Sequence, residues 1–448
     1  MDFSFTEEQT LLAESVQRYL DDRYSFEARK QWLKAMSDGA THSPTVWNEL
    51  AGLGVLALLT PEAEGGLGGG AFETLVVAQA LGGRLVVEPF LGSGVVATRA
   101  IALLGTADQK AQWLPGMAEG KAIVVPALGG TAASTDAPMA ATASAEGWVL
   151  NGKATAVYHA PVAQAFVVAA RTAEGMGAAD ALFLVPASSA GLQQTAYVTV
   201  DSQSAADVVF NGVAVPAAAR LGADMNADDS SAAIAALADL TLFTLCAEAL
   251  GSMEQAVALT VDYTRNRQQF GVPLARFQVL QHRMVDMQTH LEQARSLVYL
   301  AASLLDAGDS REQAPSHSTS ESREQAPSHN DHTNREQAPS HSTSDSREQA
   351  PSHNDHTNRE QAPSHRNNVC GSELARDSIN RSQAVAAMQV LVLEAARHVS
   401  QQAVQLHGGM GVTDEMAISH HFKRLLATGL RCGTAAQHLD RYASLTAG

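Results

Sequence analysis

Two short stretches of this chain hold residue types, at spacings, that could grip an anionic ligand carrying a ring. The first is Arg265-Asn-Arg-Gln-Gln-Phe-Gly-Val-Pro-Leu-Ala-Arg-Phe-Gln278. It closes one helical pattern at a Gly-Val-Pro turn and opens another, which stands Arg267 and Phe270 at a helix junction. There a forked guanidinium can pair with a pyrophosphate and a phenyl face can take a ring. A capped helix hairpin with a surface arginine would carry the same pattern. The second stretch is Gln405-Leu-His-Gly-Gly-Met-Gly411. Glycines directly after a helix let backbone N–H groups approach a polar or anionic ligand, and they also serve helix C-caps. Two consecutive glycines and a third exceed what a cap requires. No G-x-G-x-x-G follows a strand, so a Rossmann nucleotide site is excluded.

Helices must position both stretches. Leu280, Met284, Met287, Leu291, Ala294, Val298, Ala301 and Leu305 recur at alternating steps of four and three, the seam of a long helix. Val385, Met388, Val392, Ala395, Val399, Ala403 and Leu406 keep the same rhythm. The two are expected to pair antiparallel in a C-terminal four-helix bundle over 221–308 and 383–448. Residues 1–120 read as an N-terminal helical domain opened by the capping box Thr6-Glu-Glu-Gln9. Residues 121–220 turn β-rich, with runs at Ala122–Leu128, Phe166–Ala170, Ala181–Val185 and Ala206–Phe210. Asn151-Gly152 and Asn211-Gly212 signal hairpins there, which suggests a small antiparallel, barrel-like sheet. The fold class expected is α+β, mainly α.

Between the two seams, Arg-Glu-Gln-Ala-Pro-Ser-His occurs five times at twelve-residue steps, beginning at Arg311 and ending with the copy at Arg359. From 309 to 382 there is no aromatic residue, so the segment cannot bury enough surface to offset its ordering entropy and is expected to be a disordered tandem-repeat insert. It holds seven of the sixteen histidines. A metal-binding tract is the alternative, but most of these histidines lie a dozen residues apart with nothing rigid behind them, and no metal is expected. A loop tolerates such a passenger because closure entropy grows only logarithmically with length.

Both motifs, in this order of helices, sheet and helices, resemble the acyl-CoA dehydrogenase family over essentially the whole chain except the insert. The resemblance implies FAD. Arg267, Phe270 and Gln278 would contact the FAD of an adjacent subunit. Gln405, Gly408 and Gly409 would hold its adenosine and pyrophosphate end, and Thr434 would join the cofactor set. It implies α,β-dehydrogenation of an acyl-CoA thioester, in which a glutamate of raised pKa removes the α-proton. Here the chain departs from the family. Where most members carry Glu-Gly-Thr, it has Cys432-Gly433-Thr434, and the family's alternative glutamate position matches Thr241. Cys432 would have to act as a thiolate beside Arg431, and Glu248 lies about two helical turns from Thr241. The catalytic base is left unassigned.

The β segment departs too. The family's Glu-Pro and Gly-Ser-Asp loop is replaced by 126–136, and its Trp-Ile-Thr strand against the flavin by Ala154-Thr-Ala-Val-Tyr-His159. Tyr158 could stack near the ring or fill core. The pattern resembles the pimeloyl-CoA dehydrogenase small-subunit branch, some of whose relatives pair with a second, different chain. The resemblance therefore implies a homo- or hetero-oligomer, with electron-transferring flavoprotein as electron acceptor. The other class of reading is a non-catalytic structural partner.

Composition bounds these readings. The 448 residues are 45% apolar and carry 30 basic against 47 acidic groups, a net charge of −17. That balance argues against nucleic acid as a partner. Three scattered cysteines make no disulfide framework. No basic, apolar leader opens the chain and no run approaches the ~20 apolar residues of a membrane span, so a cytoplasmic location is expected.

Overall fold

The computed structural model describes residues 5–37, 41–128, 139–172, 179–312 and 368–447. The chain opens with α1 (Glu7–Arg23), α2 (Phe26–Ser37), α3 (Pro44–Gly52) and α4 (Ala71–Gly83). The expected capping box starts α1: Thr6 Oγ1 accepts from the Gln9 N–H at 3.2 Å and Gln9 Oε1 from the Thr6 N–H at 3.0 Å. After α4 the chain turns at Leu85, whose φ of +57° is rare for a leucine. An eight-residue π-helix, Phe90–Ala97, then runs into α5 (Thr98–Leu104), followed by α6 (Ala107–Ala118).

The strands β1 (Val124–Ala127), β2 (Ala140–Ser144), β3 (Gly147–Tyr158), β4 (Ala165–Thr172), β5 (Ala179–Pro186), β6 (Leu192–Val198), β7 (Ser204–Pro216) and β8 (Arg220–Leu221) form one sheet. Its order is β6-β7-β3-β2-β4-β5-β8, with β1 also on β4. Two expectations fail here. The sheet is open, because its end strands β6 and β8 do not pair, so it is no barrel. It is also not wholly antiparallel, since β1 and β2 both run parallel to β4, end to end along it. The Asn-Gly pairs are not hairpins either. Both lie inside the β3–β7 ladder, where the register shifts between Leu150 and Gly152. Asn151 Oδ1 accepts from the Gly212 N–H at 2.8 Å and Gly212 takes φ +62°, so the two signals meet face to face in a bulge. The hairpin falls instead at residues 145–146, joining β2 to β3.

The C-terminal part comprises α7 (Ala227–Asn266), the short strands β9 (Gln268–Gln269) and β10 (Val272–Pro273), α8 (Gln278–Glu312), α9 (Asn368–His407), α10 (Ala417–Cys432) and α11 (Ala435–Ala447). The two seams are real. Met287 to Leu305 on α8 and Val385 to Leu406 on α9 are buried, and these helices pack on each other and on α7. Both helices run further than expected, α8 to Glu312 and α9 from Asn368, so the ends of the assigned insert are helical. Residues 313–367, which hold nearly all of the repeat, lie outside the described residues. The α7 helix amends the membrane expectation, since its length and composition alone would let it cross a bilayer. It is instead a central helix packed by α4, α8, α9 and α10, with Asp239, Thr244 and Ser252 buried along it.

Glycine sets the contact between α4 and α7. A Cβ on Gly82 would stand 2.0 Å from the Glu248 carbonyl oxygen, and one on Gly251 would stand 1.8 Å from that of Gln79. Only glycine lets α4 and α7 touch backbone to backbone. That contact brings the 241–248 face of α7 against the segment that follows α4.

Candidate active site

A cavity of about 250 Å³ opens where α4, the π-helix, the end of β3, α7 and the end of α10 converge. Its walls carry Glu88, Tyr158, His159, Thr241, Glu248 and Arg431 among apolar residues such as Leu81, Phe90 and Val96. Strained or irregular backbone surrounds it. Ala156 and His159 take φ of +52° and +61° where β3 bulges against β7, Leu85 lies just before Glu88, and the π-helix supplies one wall. Strain of this kind costs of order 1–3 kcal/mol per residue and persists where the surrounding structure over-determines it.

What over-determines it is a buried ionic clamp. Arg424 on α10, 1% exposed, lies 3.0 Å from Asp201 between β6 and β7 and pairs with Glu248 on α7. Its two terminal nitrogens donate to the Val86 carbonyl, each at 3.2 Å. One side chain thereby ties the N-terminal helices, the sheet and the C-terminal helices together at the cavity floor. Arg29 on α2 does a second part of this work, donating to the Leu85 carbonyl at 2.9 Å and meeting His420 Nδ1 at 2.8 Å.

The groups on the wall differ in what they can still do. Thr241 and Thr244 donate their hydroxyls back to Leu237 and Leu240 of their own helix, at 2.7 and 2.8 Å. Glu248 is held by Arg424. The His159 Nε2 bonds the Val87 carbonyl at 2.7 Å, and burial lowers its pKa to about 4, so the ring is neutral. Arg431 lies over the Tyr158 ring, 4.0 Å from its centroid. Burial raises the Tyr158 hydroxyl pKa, with Arg431 opposing. Cys432 is not on the wall: it is 3% exposed and hydrogen-bonds the Cys246 thiol, whose own pKa that bond and burial push well up. A thiolate base at position 432 therefore finds no support in this geometry. Glu88 is the group that sequence reasoning passed over. Its signal was there, a lone carboxylate in the apolar run Leu85-Val-Val-Glu-Pro-Phe-Leu91.

The two motifs meet elsewhere, on one face of the chain. A groove of about 340 Å³ is lined by Asp262, Tyr263, Asn266, Arg267, His407 and Met416 to Ile418. Tyr263 stacks on His407 with centroids 4.3 Å apart and donates to its carbonyl at 3.3 Å, which joins the end of α7 to the end of α9. Gly408 follows His407 at φ +63°, and a Cβ on Gly408 or Gly409 would meet nothing within 4 Å, so this backbone faces open space. Phe270 is 90% exposed at φ +54°, a costly position for an apolar side chain left uncovered. Gln278 and Gln405 are exposed at the start of α8 and near the end of α9. The structure thus brings Arg267 beside the 405–409 turn on a single chain. Thr434 stands apart from both sites; its hydroxyl accepts from the Gln437 N–H at 3.2 Å and caps α11.

Comparison with known proteins decides the family. Residues 6–121 match the acyl-CoA dehydrogenase N-terminal domain, and residues 233–318 with 369–444 match the acyl-CoA dehydrogenase C-terminal domain. A benzylmalonyl-CoA dehydrogenase of Aromatoleum aromaticum is 30% identical over 68% of this chain and 81% of its own length. The chain belongs to the acyl-CoA dehydrogenase family. The acyl-CoA dehydrogenase FadE27 of Mycobacterium tuberculosis is 33% identical over 54% of this chain, and the match spans 61% of FadE27. Among solved structures, the ChsE4-ChsE5 complex from Mycobacterium tuberculosis superposes with a TM-score of 0.76 at 26% identity, covering 100% of this chain and 99% of that one.

Members of this family bind FAD, and FAD is the cofactor of this chain. The groove fits its nucleotide end through the Arg267 cation, and the stretches leading out of it carry an uncovered phenyl at Phe270 and open glycine backbone at Gly408 and Gly409. The cavity is tighter. Ligand pockets usually enclose about 300–1,000 Å³, and this one, with Arg431 laid on Tyr158, falls just below that range.

Proposed function

We propose that this chain carries out FAD-dependent α,β-dehydrogenation of an acyl-CoA thioester and hands the electrons to an external acceptor of the electron-transferring flavoprotein class. The observation that carries the reading is the presence, on one chain, of an open groove where Arg267 of one motif meets His407 of the other and of a cavity lined by a buried carboxyl. Arg267, Phe270, Gln278, Gln405, Gly408 and Gly409 would hold the nucleotide end. Bound FAD supplies a two-electron acceptor for the β-hydride. Leu81, Phe90 and Val96 exclude water from the acyl chain, and the Arg424 clamp fixes Glu248 and the sheet against α10. The test is anaerobic bleaching of copurified flavin by short, medium and dicarboxylic acyl-CoAs. Flavin that stays oxidised with all of them would sink the reading.

One observation favours a second reading, that of a non-catalytic partner in a mixed oligomer. Arg431 stacks on the Tyr158 ring, and the thiol at the usual glutamate position is turned onto Cys246. That the structurally similar ChsE4-ChsE5 is a complex of two different chains agrees with it. In this case flavin would copurify only when a glutamate-bearing paralogue is coexpressed.

A further inference from the structure

We propose that Glu88 is the proton acceptor of the cavity, taking the α-proton of an acyl thioester in place of the glutamate that positions 432 and 241 lack. This rests on the dehydrogenation reading above. It follows from what each wall group has already committed. Thr241 and Thr244 spend their hydroxyl protons on their own helix, Glu248 is clamped by Arg424, His159 donates from Nε2 to the Val87 carbonyl and is a weak base because burial lowers its pKa to about 4, and Cys432 is off the wall. Glu88 is 5% exposed; one carboxyl oxygen accepts from the Val87 N–H at 3.1 Å, the Tyr24 hydroxyl and the Ser43 backbone lie beside the carboxyl, and Oε1 makes no hydrogen bond among the described residues. A buried carboxyl with an unsatisfied oxygen has a high affinity for a proton, because charge there is poorly solvated. Burial raises its pKa to about 7, against the backbone N–H groups and the Tyr24 hydroxyl, which favour the ionised form, and a base works best near the ambient pH.

The step balances without an oxidant. The α C–H bond breaks, its proton forms an O–H bond on the Glu88 carboxylate, and the electron pair stays on the substrate, delocalised onto the thioester oxygen. Arg431, on the same wall, is the cation that such an enolate would face.

The charged and titratable groups around Glu88 come from every element packed on it: Tyr19 and Tyr24 with Arg29 from the N-terminal helices, His159 from β3, Asp201 and Glu248 beneath, and Arg424 and Arg431 from α10. Burial raises both tyrosine pKa values and so keeps those hydroxyls neutral, it lowers that of Arg29 to about 10, which leaves the guanidinium charged, and His159 is already neutral above pH 5.

The experiment is α-proton exchange in deuterated buffer on 3-thiaoctanoyl-CoA, which has sulfur at the β position and so no hydride to give. The protein is used as purified with its flavin, and deuterium uptake is read by mass spectrometry. Exchange should rise through about pH 7. Glu88→Gln should lower it ~10²–10⁴-fold, Glu88→Asp should keep a measurable part with a displaced pH midpoint, and Cys432→Ala should change nothing. Three results would overturn the assignment: no exchange by the unmodified protein, a folded Glu88→Gln exchanging at the unmodified rate, or loss confined to Glu248→Gln. Should Glu88→Gln not fold, a pH midpoint in Glu88→Asp identical to that of the unmodified protein overturns it as well. Exchange without bleaching by ordinary acyl-CoAs would instead remove the dehydrogenation reading and leave Glu88 as a base.

Discussion

The groove and the cavity are built in opposite ways. The groove draws its lining from the end of α7, His407 at the end of α9 and Met416 to Ile418 at the start of α10, and Arg267 there is exposed, as are Phe270, Gly408 and Gly409 close by in sequence. The cavity draws on α4, the π-helix, β1, β3, the β6–β7 connection, α7 and α10, and its polar groups are largely buried and paired. An open site can be assembled from local turn chemistry. An enclosed one needs long-range packing to hold charges where water cannot screen them.

The sharpest way to break this contrast is to test which sites share one cofactor. Gly409→Asp places a carboxylate where the open backbone should meet phosphate, so flavin content should fall to background. Since Arg267 and Gly409 stand on the same face of one chain, mixing Gly409→Asp with Arg267→Ala should restore nothing. Mixing Gly409→Asp with a cavity variant, Tyr158→Asp, should restore about a quarter of the flavin in a randomly reassorted two-fold dimer, because half the dimers are mixed and each of those keeps one intact site. Recovery by the first mixture, measured by flavin absorbance after subunit exchange, would mean that the two motifs serve different cofactors.

A smaller effect tests the claim that the cavity is held by charge. Arg424→Ala leaves buried Asp201 and half-buried Glu248 without their cation, and breaking a buried pair from one side costs about 3–5 kcal/mol. Arg267→Ala, at the groove, should cost under ~0.5 kcal/mol of stability. Urea melts of the two variants should therefore separate widely. Equal midpoints would show that the Arg424 clamp is better solvated than its 1% exposure implies.

The same contrast explains what the sequence made legible. Helical seams announce themselves through period, and the residues of both survive as buried faces of α8 and α9. The groove was legible because each of its motifs is a short run. Glu88 was not, since its meaning depends on Val87 folding back on it, on His159 reaching Val87 from 72 positions away, and on α10 closing the floor. Asp201 and Arg424 are ordinary surface types until the fold buries them together. The Asn-Gly pairs misled for a related reason: each alone prefers a turn, but Asn151 and Gly212 satisfy one another across two strands. Strand β6 was missed because its residues are mostly exposed and its apolar and polar residues come in blocks, leaving no alternation to read.

The smallest expected effect concerns the connection that neither site uses. Residues 313–367 separate two helices that pack on each other, and the C-terminal family match stops at 318 and resumes at 369. Replacing those 55 residues with about eight polar ones shortens the loop by nearly three halvings, and each halving returns about 0.6 kcal/mol of closure entropy. The shortened chain should thus be more stable by up to ~1.7 kcal/mol, with flavin content and α-proton exchange unchanged. The sign matters more than the size. A passenger loop can only cost closure entropy, whereas a segment that docks on the helices, or whose histidines gather a metal, would lose contacts when removed. A fall in melting temperature, or a melting temperature of the intact chain that rises with added zinc, would therefore assign this segment a structural role that its composition denies.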